Sequence, residues 1–328
     1  NEKKVFEDML STVSSKVFNN VELKYAEKLS AMDAFGRAFT SQELSSDQAW
    51  PMVTLADFEL RGGYVNELGG FLSVGFLALV DSEERNTWKN AIQGNLQWET
   101  DANLICGTSS VSSDILQLDT TRGLTRDDSS GPYLPFWQAT PVDPSLVNFN
   151  YLSHPRFADS WRHAISSNAI TLSRLNNFET LVEAKTLFKD HYSCLLNRSV
   201  DVELDDSTNP PLSRIFFPVF DSFATEGRQV VGLISALFNF ETMFEGSLPE
   251  GAGSLIVVVD NTCGDFFSFA INGELADYLG PSDLHNRKYS DMVKHYDLAT
   301  TEFQSASNVQ LHDSYCPYTL RIYPQDSL

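Results

Sequence analysis

The stretch FEDMLSTVSSKVFNNVELKYAEKLSAMDAFGRAF at positions 6–39 decides how the fold begins. Large apolar residues recur there in steps of three or four, at Phe6, Leu10, Val13, Val17, Val21, Tyr25, Leu29, Met32, Phe35 and Phe39. Nine steps over 33 positions give a mean spacing of about 3.67 residues, which is typical of one apolar stripe on an α-helix. Such a helix is about 60 Å long. The pattern therefore predicts a stalk helix over residues 1–45, and its period favours packing within the chain over a long coiled coil.

Length and charge narrow the classes of protein. The 328 residues are enough for two domains, and the net charge of -21 disfavours nucleic acid and anionic lipid as partners. The longest apolar runs, FLSVGFLALV and VVGLISALF, are shorter than the ~20 residues that span a membrane. We expect a chain cut from a longer protein, with its membrane-spanning helices outside these 328 residues.

Strand and helix patterns predict an α+β fold with two units after the stalk. In the first unit, over 46–200, FLSVGFLALV at 71–80 and PYLPFWQATP at 132–141 are typical of strands, and the polar loop at 107–131 reads as a lid or as surface decoration. The acidic stretch DVELDDSTNPP at 201–211 predicts the boundary. The second unit, over 201–328, is expected to form one antiparallel sheet from SRIFFPVFDS, RQVVGLISALFNF, SLIVVVDN, DFFSFAI and YTLRIYP, with a helix over 282–296.

Four widely spaced cysteines, none in a CxxC motif, disfavour a structural zinc site. Three pairings are possible, and chain order with domain membership favours Cys106 with Cys194 and Cys263 with Cys316. A sequon at Asn197 predicts glycosylation and adds to an extracellular interpretation. The alternative is a cytosolic protein with four free buried thiols.

Several segments together resemble a known family of sensors. GFLALVDSEERNTWKNAI, PYLPFWQATPV, HPRFADSWRHAISSNAITLSRL and SRIFFPVFDS, in this order after a long helix, are similar to the CHASE sensor domains of plant cytokinin receptors. VVVDNTC, DLHNRKYSDM and YCPYTLRIYP resemble the extracellular regions of receptor-type nucleotide cyclases of diatoms. The resemblance implies a membrane-distal PAS-like domain that binds ligand, a membrane-proximal PAS-like domain, and flanking transmembrane helices that lead to a cytoplasmic enzyme. Gln138, Ala139 and Thr140 stand where cytokinin receptors carry an acidic residue, which disfavours adenine-type ligands.

Motifs of catalysis and of cofactor binding do not occur in the sequence. No Gly-Lys pair forms a P-loop, no GxSxG elbow occurs, and the six His residues show no HxxxH spacing. The acidic segments lack the oxygen spacing of a calcium loop. We therefore expect no metal and no cofactor, and no enzymatic activity in this chain itself.

One group of aromatic and hydroxyl or amide side chains has the mixed character of a small-molecule pocket. It comprises Phe76, Tyr133, Phe136, Trp137, Gln138, Thr140, Thr171 and Ser173. Strand alternation predicts Phe136, Gln138 and Thr140 on one face and Trp137 on the other. The alternative is that these residues form only core and sheet surface.

These patterns predict an extracellular ligand-sensing region of a plasma-membrane receptor, with a small-molecule ligand and a possible homodimer. A secreted hydrolase with a carboxylate pair and a structural dimerisation ectodomain are the alternatives.

Overall fold

A computed structural model describes residues 2–94, 112–119, 121–141, 146–154, 158–174, 211–298, 309 and 315–325. The α+β composition and the long first helix are confirmed. The α-helices are α1 (Glu2–Ser45), α2 (Phe58–Gly69), α3 (Arg85–Gly94) and α4 (Ala158–Ser167). The strands are β1 (Ser73–Ala78), β2 (Leu116–Asp119), β3 (Gly123–Arg126), β4 (Phe136–Thr140), β5 (Thr171–Leu172), β6 (Leu212–Phe220), β7 (Val230–Asn239), β8 (Ser254–Asn261), β9 (Phe266–Asn272), β10 (Leu275–Gly280), β11 (Lys294–Asp297) and β12 (Tyr318–Pro324). None of the helices in these ranges combines the length and the apolar content that a membrane crossing requires.

Helix α1 packs within the chain through the stripe that its sequence predicts. Eight of the ten stripe residues are buried: Leu10, Val17, Val21, Tyr25, Leu29, Met32, Phe35 and Phe39. The N-terminal half of α1 reaches the second sheet, where Phe18 stacks on Tyr296 with ring centroids 4.5 Å apart. The C-terminal half lies on the first sheet, where Phe39 stacks on Phe76 at 4.1 Å. One helix therefore contacts both sheets.

The first sheet is fully antiparallel and has the strand order β4-β1-β7-β6-β5. Helices α1 and α2 cover one face, and helix α4 covers the other. Every residue of β1 and β6 is buried, because each strand lies inside the sheet with helices on both sides. The sequence at 71–80 is continuously apolar because both faces of β1 are buried.

The second sheet is also antiparallel, with the order β10-β9-β8-β12-β11. In both sheets the first and the last strand of the unit lie side by side. Within each five-stranded sheet, the second strand along the chain (β4 or β9) flanks the first, and the next-to-last strand (β6 or β11) flanks the last. Four strands of each unit thus share one order, although the two units show no repeated sequence.

The predicted division of the second unit requires correction. Strands β6 and β7 follow position 201, yet they pair with β5 and β1 and complete the first sheet. Strands β10 and β11 take their places in the second sheet. The stretch 282–296, which was expected to be helical, contains only a 3-10 turn at Arg287–Met292 and the start of β11. Buried apolar strands carry no local signal of which sheet they join, so the acidic stretch at 201–211 was a misleading boundary.

The two units meet beside a disulfide that lies within the second unit. Cys263 and Cys316 are bonded, with Cα atoms 5.3 Å apart, which confirms that pairing. Arg174, directly after β5, donates to Asp265 at 2.8 Å and to the carbonyl of Cys263 at 2.9 Å. The Tyr318 hydroxyl donates to the carbonyl of Ser173. Cys106, Cys194 and Asn197 lie outside the described residues.

Candidate functional site

Three of the predicted pocket residues point to the α1 side of the first sheet. Phe76 is covered by the ring of Phe39. The Gln138 amide is fully buried: its oxygen accepts from the N–H of Leu55 at 2.8 Å, and its nitrogen donates to the carbonyl of Leu55 at 3.1 Å. Thr140 packs against α2. These three side chains fill the interface between the sheet and the N-terminal helices.

Phe136 lies on the opposite face because strand β4 contains a bulge. Phe76 pairs with Gln138, but the next residue, Leu77, pairs with Phe136, so Trp137 has no partner on β1. One extra residue reverses the alternation of side chains. The prediction that Phe136 shares a face with Gln138 and Thr140 is therefore wrong.

The α4 side of the sheet carries a layer of aromatic rings. Phe136 lies 5.5 Å from Tyr151, Tyr151 lies 4.9 Å from Trp161, and Trp161 lies 3.9 Å from Phe216, measured between ring centroids. Thr171 pairs with Phe216 in the sheet and is buried on the same side. This layer is packed core.

The other predicted residues lie at the edges of the sheet. The Trp137 indole donates to the Thr54 hydroxyl at 3.0 Å and meets Trp88 edge to face. The Tyr133 hydroxyl accepts from Arg85 at 3.0 Å.

Ser173 directly follows β5, and its hydroxyl accepts from the N–H of Arg214 at 2.9 Å. The eight residues are thus divided between two faces and the rim, and they do not line one cup.

A different part of the first unit forms an open cleft of about 660 Å³. Its walls are the β2–β3 hairpin, the segment 127–132, the helical turn 151–153 and helix α4. Leu118, Leu152 and Ile165 supply apolar surface. The polar lining side chains include Asp81, Gln117, Asp127, Ser129, Arg162 and Ser166. This volume and this mixed lining are those of small-molecule sites.

Asp127 is the buried acid of the cleft, with 1% of its surface exposed. One carboxylate oxygen accepts from the N–H of Ser129 at 2.8 Å, and the other accepts from the side-chain amide of Asn150 at 2.6 Å. The Asn150 oxygen in turn accepts from the N–H of Leu134 at 2.8 Å. The carboxylate is therefore held in a fixed position on the cleft wall.

Arg162 is the cationic side chain in the part of the lining that the structure describes, and it lies at the exposed edge of α4. It pairs with Asp159 at 3.2 Å, and 60% of its side chain is exposed. A second donor nitrogen reaches the carbonyl of Leu152 at 3.3 Å. Asp127 is therefore buried in the wall of the cleft, whereas the side chain of Arg162 is largely exposed to solvent at its rim.

The cleft was not predicted, because it is assembled from separate short segments. Part of it comes from the polar loop at 107–131, where β2 and β3 form a hairpin. A local signal for this hairpin exists: Asp119 accepts from the N–H groups of Thr121 and Arg122, and Gly123 follows with positive φ. The pattern predicts a turn but not the cleft beside it.

The chain matches no protein-family model and no curated protein.

Proposed function

We propose that the chain is the ligand-sensing region of a transmembrane receptor, and that a small molecule binds in the cleft of the first unit. The observation that carries the proposal is the cleft itself, with a volume of about 660 Å³, aliphatic walls and a few fixed polar groups. Sites of this size and character hold most of a small ligand out of water. The proposed site includes Pro132 but not the strand β4 that follows it, because Trp137 and Gln138 already hold partners inside the protein.

The attachment of α1 to both units supports a sensing role. Asn20 donates to the Ser247 hydroxyl at 2.9 Å, and Lys24 donates to the carbonyl of Thr242 at 2.8 Å. These contacts join α1 to the connection between the sheets, while Thr40 donates to the carbonyl of Phe220 in the first sheet at 2.8 Å. A ligand that favours one relative pose of the units would therefore displace α1.

An extracellular position and a cytoplasmic output domain are part of this proposal. The Cys263–Cys316 disulfide supports an oxidising compartment. The strand order that the two sheets share supports a pair of related, PAS-like units. The membrane anchors, the nucleotide cyclase as output and the possible homodimer rest on the resemblance to receptor ectodomains.

The hydrolase alternative would use Asp81 and Asp127, which both line the cleft. Asp127 is a poor candidate for acid or base chemistry, because both of its oxygens already accept hydrogen bonds from fixed groups of the wall. This favours binding over catalysis. Hydrolysis of glycoside and ester substrates by the wild type but not by Asp127→Asn would support the alternative.

A blocked cleft tests the proposal. Ser166 is an exposed residue of α4 that lines the cleft, so Ser166→Trp places an indole at the mouth without disturbing the core. Ser30→Trp, on the exposed side of α1, is the matched control. We expect library compounds of low molecular mass to raise the melting temperature of the wild type and of Ser30→Trp but not that of Ser166→Trp. Equal shifts in all three proteins, or none in the wild type, would contradict a cleft site.

A further inference from the structure

We infer that the molecule bound in the cleft carries a positively charged ammonium group, and that Asp127 binds it. The inference rests on the proposed function and adds the chemical class of the ligand.

The environment of Asp127 leaves part of its hydrogen-bonding capacity open. An ionised carboxylate has about four acceptor positions. Two of them are used, by the N–H of Ser129 and the amide of Asn150, and both donors are neutral. No ion pair joins Asp127 to a lysine, arginine or histidine within the described ranges. Two neutral donors offset only part of the cost of burying a carboxylate, so a cationic ligand would relieve the rest.

The charges around the cleft also favour a cation. Among the described residues, its lining contains two acids, Asp81 and Asp127, and one basic residue, Arg162. Because Arg162 already pairs with Asp159 and is largely exposed, it neutralises little of the charge on the buried wall. The net charge of -21 adds a long-range field that attracts cations and repels anions.

The apolar lining of the cleft indicates that the rest of the ligand is apolar. Leu118, Leu152 and Ile165 are half-buried on the cleft walls and offer contact area to an aliphatic or aromatic group. An ammonium group against Asp127 and an apolar body against these side chains describe an amphipathic primary amine. A bare metal ion would leave the apolar walls without contacts.

Paired probes test the ammonium requirement in the wild type. 2-Phenylethylamine and 2-phenylethanol have the same apolar body and differ in one polar group, and isopentylamine and isopentanol form a second pair. We expect calorimetry to show at least one amine binding tenfold or more tightly than its alcohol, with affinity falling as the salt concentration rises. Equal affinity within both pairs, no binding of either amine, or protection by Ca²⁺ alone would overturn the inference.

Two neighbouring acids provide matched variants. Asp128→Asn removes the same charge as Asp127→Asn, but the Asp128 side chain is 82% exposed. We expect Asp127→Asn to weaken amine binding tenfold or more and Asp128→Asn to change it less than twofold. Equal losses would assign the effect to the overall field and overturn the role of Asp127.

The amine-to-alcohol ratio of the wild type decides the question if Asp127→Asn does not fold. Neutral compounds whose effect is lost in Ser166→Trp, together with amines that do not bind, would refute the ammonium group and leave the proposed cleft in place.

Discussion

Gln138→Ala is expected to reduce stability strongly and to leave ligand binding intact in the folded protein. The Gln138 side chain is fully buried and makes two hydrogen bonds to the backbone of Leu55, which is itself 1% exposed. Removing the amide leaves a buried N–H and a buried carbonyl without partners, at about 1–3 kcal/mol each. Loss of one buried methylene, Cγ, adds about 0.8 kcal/mol. The sum is about 5 kcal/mol, a large share of the 5–15 kcal/mol that is typical of folded proteins.

Gln117→Ala is the matched control, because the same chemical change is made on the cleft wall. Gln117 is half-buried, and its side chain bonds to no other residue in the described part of the chain. We expect its unfolding midpoint in urea to stay close to that of the wild type, while binding of the amine probes weakens.

Circular dichroism during urea unfolding and calorimetry with 2-phenylethylamine measure both effects. A Gln138→Ala protein that unfolds at the wild-type midpoint, or that folds normally and loses only ligand binding, would refute the assignment of Gln138 to the interior.

Burial lowers the pKa of Lys28 from 10.5 to about 8, with a smaller contribution from the nearby charge of Lys24. The unfolded chain therefore binds more protons than the folded protein between pH 8 and 10.5. Across that interval the free energy of unfolding of the wild type should rise with pH by about 3 kcal/mol relative to that of Lys28→Met. Parallel pH profiles of the two proteins in urea titrations would contradict this. Reducing the disulfide between Cys263 and Cys316, 53 positions apart, should cost about 4 kcal/mol through greater chain entropy of the unfolded state. An unchanged calorimetric melting temperature in the Cys263→Ala, Cys316→Ala protein would count against that estimate. Deleting residues 1–30 should lower the melting temperature at concentrations where the protein is monomeric, because it exposes the core beneath this part of α1. An unchanged melting temperature would show that packing of this part of α1 does not stabilise the fold.

Elements defined by a single periodic pattern could be predicted from the sequence. The stripe from Phe6 to Phe39 predicted α1 because helical spacing persists over the whole segment. The run at 71–80 predicted β1 because a strand with helices on both sides is apolar throughout. The disulfide could be predicted because Cys263 and Cys316 lie at the ends of strands in one unit.

Features that depend on contacts between distant segments could not be predicted. The bulge at Trp137 inserts one residue, and nothing in the alternation of β4 marks it, so the face of Phe136 was misjudged. Strands β6 and β7 are mostly buried and largely apolar on both faces, so their composition does not show which sheet they join. The cleft brings together a hairpin, a loop, a helical turn and α4, and each of these alone is an ordinary surface segment.

Hydrogen–deuterium exchange locates the ligand without any substitution. The compound to bind is the one that most raises the melting temperature of the wild type but not that of Ser166→Trp. We expect slower exchange of the amides on the cleft walls, at 116–119, 129–134 and 150–153, and unchanged exchange across β8 and β9. Slower exchange confined to the second sheet, or no change at the cleft walls, would contradict a small-molecule site in the first unit.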